Sequence, residues 1–250
     1  MQGGGDTLTS TIHILSIPIG NVTKEEACAF AFKCIEEGKA ASIATANAEM
    51  VMKAQSDEEL ADILQHADLV VPDGAGVLWA AEQTGQQFKE RVAGIDLACS
   101  LIREAAVRQT PVYFFGGAEG VAKEAAANLE KEVGKLRIVG THSGFFSDDE
   151  EEKIIEEIRT GGTQLLLVAL GVPKQEKWIR NHLYELGPCV CMGVGGAFDV
   201  MSGHLERAPQ WMQKHRLEWL YRLLKEPTRI KRMMALPQFV AAVKRNKGAK

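Results

Sequence analysis

No run of about 18 uncharged apolar residues occurs anywhere in the chain, which excludes a membrane-spanning helix. Cysteine is scarce. Cys28, Cys34, Cys99, Cys189 and Cys191 are odd in number and scattered, and they form no CxxC, so neither a disulfide framework nor a zinc site is indicated and a reducing cytoplasm is expected. The opening MQGGGDTLTS lacks the basic-then-apolar build of a secretory signal, and residues 1–10 read as a disordered leader. No GxGxxG follows the first strand candidate, which disfavours a nicotinamide-dependent oxidoreductase. GxxxxGK[ST], HExxH and GxSxG are missing too, and no DxD is present to hold Mg²⁺ against a diphosphate. The six histidines are dispersed, so no metal set is read from them.

What is present is the composition of a folded protein, 46% hydrophobic and 25% charged, long enough for one large α/β domain or a domain with an appendage. The net charge of −4 conceals a polarity. From Gly203 to Lys250 there are 12 Lys or Arg against Glu206, Glu218 and Glu226, while the remainder is acidic. A basic end on an acidic body indicates an anionic partner, such as phosphate, lipid or nucleic acid, or docking of that end on the body itself. A nucleic-acid binder would show salt-sensitive retention of DNA or RNA.

Short β-rich runs alternate with helical segments for almost 200 residues. The strands are expected at Ile12–Ile17, Ala41–Ala46, Leu69–Pro72, Val112–Gly116, Arg137–Thr141, Leu165–Leu170 and Val190–Val194. Helices are expected near 24–37, 58–66, 74–84, 95–109, 119–133, 148–159 and 174–186. Runs such as LLLVAL and VYFFGG are apolar on both alternating faces, as in parallel strands covered on both sides. The fold class is therefore α/β: a Rossmann-like, doubly wound, mostly parallel sheet over residues 11–202. Residues 203–250, basic and aromatic and broken by Pro209, Pro227 and Pro237, form a helical amphipathic appendage.

In such sheets ligands sit beyond the carboxyl ends of the strands. There the sequence places Thr45-Ala46-Asn47, Pro72-Asp73-Gly74, Gly116-Gly117 and Gly193-Val194-Gly195-Gly196. Asp73 stands where a carboxylate acts as a base or caps the next helix. The glycines suit tight turns or backbone N–H contacts to phosphate. Gln175 lies near the start of a helix and suits a ligand contact.

The blocks TANAEM (45–50), PDGAGV (72–77), RVAGIDL (91–97), FFGG (114–117), GVPKQEKWI (171–179), GVGGAFDVMSG (193–203) and RAPQWMQKHRLEWLYRLLKEPTRIKR (207–232) together resemble the WecG/TagA/CpsF glycosyltransferase family over roughly residues 12–240. The resemblance implies an inverting, metal-independent transfer of N-acetylmannosamine from its UDP donor, with no cofactor. The implied acceptor is the 4-hydroxyl of undecaprenyl-diphosphate-linked N-acetylglucosamine, in wall teichoic acid linkage-unit synthesis. Relatives that transfer other sugars leave open a different UDP-sugar on the same acceptor type. Asp73 matches the family's general base, and Thr45, Asn47, Arg91 and Gln175 match pocket residues around it. Gly117, Phe145, Gly195 and Asp199 are expected at the nucleotide, Phe145 stacking on uracil and Asp199 accepting from ribose. Arg222, Arg229 and Arg232 match appendage arginines that contact phosphate, and their spacing of seven and three residues suits one helical face. The appendage's Trp, Leu and Met residues fit the headgroup boundary of an anionic membrane, which places the protein on the inner face of a bacterial plasma membrane. Away from lipid, the same surface is expected to favour homo-oligomers.

Overall fold

In the computed structural model, residues 10–215, 217–225, 227, 230 and 234–248 are described. The expected leader and two expected phosphate ligands, Arg229 and Arg232, lie outside the described residues.

A hairpin of β1 (Thr11–Ile14) and β2 (Ile17–Gly20) opens the fold. It is separate from a six-stranded sheet formed by β3 (Ala41–Ala46), β4 (Leu69–Pro72), β5 (Val112–Gly116), β6 (Ile138–His142), β7 (Leu165–Ala169) and β8 (Val190–Gly193). The order is β4-β3-β8-β7-β5-β6, and every pairing is parallel. The single strand expected over Ile12–Ile17 is corrected to this hairpin. Ile12, Ile14, Ile17 and Ile19 are all buried, and the chain reverses at Leu15, whose φ of 56° is left-handed.

Alternate residues of the central strands enter opposite cores. Val112 and Phe114 face α1 (Lys24–Glu36), α5 (Gly94–Arg108) and α6 (Val121–Val133), while Tyr113 and Phe115 face α7 (Asp148–Thr160) and α8 (Lys174–His182). This two-sided burial explains the apolar runs and makes the sheet doubly wound. The remaining body helices are α2 (Ala48–Ala54), α3 (Glu58–His66), α4 (Ala75–Gln83) and α9 (Ala197–Met201). Capping boxes at Thr23 and Ser147 start α1 and α7, as the acidic first turn after Ser147 predicts. All five cysteines are free thiols; burial pushes Cys28 up to about 11 and raises Cys34, Cys99 and Cys189 as well.

The appendage divides in two. Helices α10 (Gln210–Lys214) and α11 (Glu218–Lys225) lie on the surface, and none of the α11 residues is buried. The last helix, α12 (Ala235–Gly248), instead completes the body. Phe239 and Val243, four residues apart on one face, are buried in the core shared with Ala46, Ala48, Met50 and Val77. Gly76 makes room for this contact: a Cβ there would lie 2.9 Å from that of Ala48 and 3.6 Å from the Phe239 ring. Within residues 203–250, expected as one appendage, α12 thus docks against α2 and α4 of the body.

Candidate active site

The chain leaves β3 for β4 on one side and reaches β8 from β7 on the other, so the carboxyl ends of the neighbours β3 and β8 border a topological switch. Asp73 follows β4 at this rim. Its N–H donates to Ala46 O at 2.8 Å, and the Val92 N–H donates to Pro72 O at 2.9 Å, bringing residues 91–94 alongside. Gly74, with φ of 86°, is the cap residue of α4, and no side chain caps that helix. The capping role open to Asp73 in the sequence is therefore not taken. Its carboxylate instead faces the backbone N–H of Gly94, which favours the charged form.

The residue keeps some accessible surface, yet its carboxylate is deeply enclosed by protein. Burial pushes its pKa up to about 6, against the opposing pull of Arg91, the Gly94 N–H and Arg222; the Glu218 charge adds to the rise. A carboxyl that ionises near neutrality is suited to taking a proton from an alcohol.

Around Asp73 the polar groups form a connected set. Arg91 Nη2 lies 3.1 Å from Glu218 Oε2. The other Glu218 oxygen is 3.6 Å from Arg207 Nε and 3.6 Å from Arg222 Nη2. Glu218 is only 14% exposed, so three arginines share one largely desolvated carboxylate. Arg207 also grips Asp96 through two nitrogens, one of them at 2.8 Å. Burial works against ionising Asp96, but Arg207 and Arg91 outweigh it and hold its pKa below the usual range. Chemically, this is an acid poised as a base beneath a cluster of guanidinium groups, the arrangement that accepts an alcohol proton and a phosphate charge together.

The other expected residues fall in three places. Thr45 is buried behind Gly94: a Cβ on that glycine would lie 3.1 Å from Thr45 Cγ2, so Thr45 supports the donor to Asp73. Asn47 caps α2, its Oδ1 accepting the Met50 N–H at 2.9 Å. At the ends of β7 and β8, Gln175 is 1% exposed and its Oε1 accepts from Gly171 N–H at 3.1 Å and Gly195 N–H at 3.0 Å. The structure gives Gln175 a bracing position between two turns rather than a surface one. Farther along, Gly117 O accepts the Gly144 N–H at 2.8 Å, next to Phe145, which is 79% exposed. Phe145 follows β6 and Asp73 follows β4, at opposite edges of the sheet; five strand spacings separate them, about 24 Å. Asp199 lies on α9, its carbonyl accepting from Leu205 N–H and Ser202 Oγ. Glu218, Arg207, Asp96 and Gly94 were not singled out in the sequence. The available signals were the Glu218–Arg222 spacing of four and the inclusion of all four in the shared blocks.

A narrow cleft separates Gly196 and Val200 on the body from Arg207, Tyr221 and Arg222 on the appendage. A second hollow, of about 310 Å³, is lined by Arg91 with Leu78, Gln87, Phe88 and Gln213. Helix α11 presents Glu218, Tyr221, Arg222 and Lys225 on one face, towards these groups. Trp219 and Leu224 lie on the opposite face, 43% and 69% exposed. Leu220 and Leu223 between them are half-buried, and Lys225 is exposed. Among the described residues, no helix is long and apolar enough to cross a membrane.

The sequence model of the Glycosyl transferase WecG/TagA/CpsF family matches residues 12–250. The chain is 34% identical over 215 residues to the N-acetylglucosaminyldiphosphoundecaprenol N-acetyl-beta-D-mannosaminyltransferase of Bacillus spizizenii, covering 86% of this chain and 83% of that protein. It is 32% identical over 236 residues to the protein of the same name from Bacillus subtilis, covering 94% and 91% respectively.

Proposed function

The chain belongs to the WecG/TagA/CpsF glycosyltransferase family and is a glycosyltransferase; from that premise we propose that it moves N-acetylmannosamine from UDP-N-acetylmannosamine to the 4-hydroxyl of N-acetylglucosamine-diphospho-undecaprenol, with inversion and without a metal. The relatives' names supply the sugar and the acceptor. The observation that carries the chemistry is the enclosed Asp73 carboxylate beside Arg91 and Arg222. In the transfer, the acceptor hydroxyl oxygen bonds to the anomeric carbon and its proton passes to Asp73. The bond from that carbon to the β-phosphate oxygen breaks, and its electron pair leaves with UDP. Arg91, Arg207 and Arg222 offset the charge that builds on the diphosphate, the task a metal performs where one is used; one such contact is worth on the order of 2.7–4 kcal/mol in a transition state.

Arg91 lines the hollow, and Arg207 and Arg222, which share Glu218 with it, line the cleft, so one connected set of guanidinium groups borders both spaces. The donor phosphates lie towards Gly195 and Gly196, and the nucleoside runs along the rim towards Gly117 and Phe145, with Asp199 near the ribose. A polyprenyl acceptor is held in a bilayer, and the exposed apolar residues of α11, with Trp211, Ile230 and Met234, are suited to the headgroup boundary of an anionic cytoplasmic leaflet.

The test is a panel of UDP-sugars against a short-chain lipid-diphosphate N-acetylglucosamine, with UDP release as readout, repeated with EDTA. Turnover is expected with UDP-N-acetylmannosamine and is expected to survive chelation. Preference for another UDP-sugar would move the assignment to that donor, and loss of activity restored by Mn²⁺ or Mg²⁺ would refute the metal-free mechanism.

A further inference from the structure

Glu176 is 3% exposed, and one of its carboxylate oxygens, Oε2, is buried with no hydrogen-bond partner among the described residues. A buried orphan acceptor costs stability, so a position needed only for packing is better filled by an apolar side chain. The other oxygen has a partner: Gln175 Nε2 donates to Glu176 Oε1 at 2.7 Å. The far end of the same amide faces two backbone N–H groups, those of Gly171 and Gly195. Both are donors, so the Gln175 atom between them has to be its oxygen, and a flipped amide would set an NH₂ group against two N–H groups. An acceptor at Glu176 reinforces that orientation from the other end, because it satisfies Nε2 only while the oxygen faces the two N–H groups. Glycine at 193 keeps the space clear: a Cβ there would lie 2.6 Å from Gln175 Nε2 and 3.1 Å from Glu176 Oε1. Lys53 secures the same corner from α2, donating to Val172 O at 3.2 Å.

We propose that Glu176 is a positioning residue of the transfer reaction: it orients the Gln175 amide, which ties the turn after β7 to the Gly193–Gly196 turn and so fixes the backbone that faces the donor diphosphate. This deepens, and rests on, the reading of that glycine turn as the diphosphate side of the site. Burial pushes the Glu176 carboxyl up to about 7, while the Gln175 bond and Lys53 favour its charge. Either protonation state leaves an oxygen able to accept from Nε2, so the role asks for an acceptor at this place more than for a charge.

Two variants of matched size separate this role from packing. Glu176→Gln keeps an acceptor within reach of Gln175, whereas Glu176→Met fills the volume without one. Glu176→Met is expected to unfold at the same or a higher temperature than the parent, to raise the KM for donor about tenfold with a smaller change in kcat, and to lose amide-exchange protection at Gly171 and Gly195. Glu176→Gln is expected to stay within about threefold of the parent. If Glu176→Met does not fold, Glu176→Asp makes the same test by withdrawing the acceptor by one methylene. Unchanged protection and KM in a folded Glu176→Met, or a loss of stability in proportion to activity, would overturn the proposal. Protection lost at Gly171 and Gly195 without any change in UDP binding would keep the brace and refute the placement of the diphosphate. An inactive parent would refute the proposed function, and the exchange measurement would still report on the brace.

Discussion

Replacing Asp73 by Asn is expected to abolish transfer and at the same time to stabilise the protein. Burial raises the Asp73 pKa from 3.8 to about 6, so the folded state resists the ionisation that the unfolded chain undergoes freely. Below pH 3.8 the carboxyl is neutral in both states and folding carries no penalty. As pH rises past that value, the unfolded chain loses its proton first and stability falls; above pH 6 the folded carboxyl is charged as well and the penalty levels off. Two pKa units correspond to about 3 kcal/mol above pH 6, and about 0.5 kcal/mol near pH 4. Asn resembles the protonated acid and keeps an acceptor for the Gly94 N–H. For a chain of this size the gain at pH 7 is an increase in Tm of roughly 6–12 °C. Urea unfolding of both proteins from pH 4 to pH 8 measures the gap, with UDP release assayed alongside. A gap that stays constant across pH, or an Asp73→Asn variant less stable than the parent at pH 7, would refute the enclosure of a strained carboxylate. Retained turnover would remove Asp73 as the base.

Glu218→Gln removes a like charge from Asp73 and frees Arg91 and Arg222 to act on it, so the acid limb of the kcat/KM profile is expected to move to lower pH; Arg222→Gln is expected to move it higher, and pH–rate profiles of the two read the difference in sign. Phe239→Ala is expected to cost about 3–5 kcal/mol in denaturant unfolding, because the ring is 1% exposed and its removal opens a cavity against Gly76 and Ala48. Cutting the chain near residue 203 removes that packing together with Glu218 and Arg207, so a destabilised fragment without turnover is expected in place of an independent body. Trp219→Glu with Leu224→Glu is expected to reduce flotation with anionic liposomes while leaving Tm within about 2 °C, since both side chains are exposed.

All six strands of the main sheet could be read from the sequence; burial on both faces leaves continuous apolar runs such as LLLVAL in the inner strands, while the edge strand β6, with no buried residue, shows only a short β-rich run between helical segments. The first hairpin could not: buried isoleucines continue on either side of Leu15, and only a left-handed residue with no glycine marks the turn. Helix α2 is seven residues long, too short for a clear period, and in the sequence Asn47 reads equally as a helix cap or as a ligand contact. In the appendage the density of Lys and Arg masks core positions such as Phe239 and Val243, within a segment that reads as lipid-facing. At the site, Asp73 stands out because it follows a strand end and Arg91 because it falls in a block shared with the family, whereas Glu218 is one acid among many bases and its meaning appears only where three guanidinium groups meet. The direction of Gln175 is likewise hidden. Spacing places a side chain on a helix but does not say that both ends of its amide are engaged from below.

The enclosure of the native thiols has a practical consequence for studying the lipid encounter. Cys28, Cys34, Cys99 and Cys189 are all held protonated by burial, and Cys191 is buried too. A cysteine introduced at an outward position such as Trp219 would then be the fastest thiol to meet a maleimide dye. Quenchers set at graded depths in a vesicle could report how far that helix sinks, with no need to strip the chain of its own sulfur first.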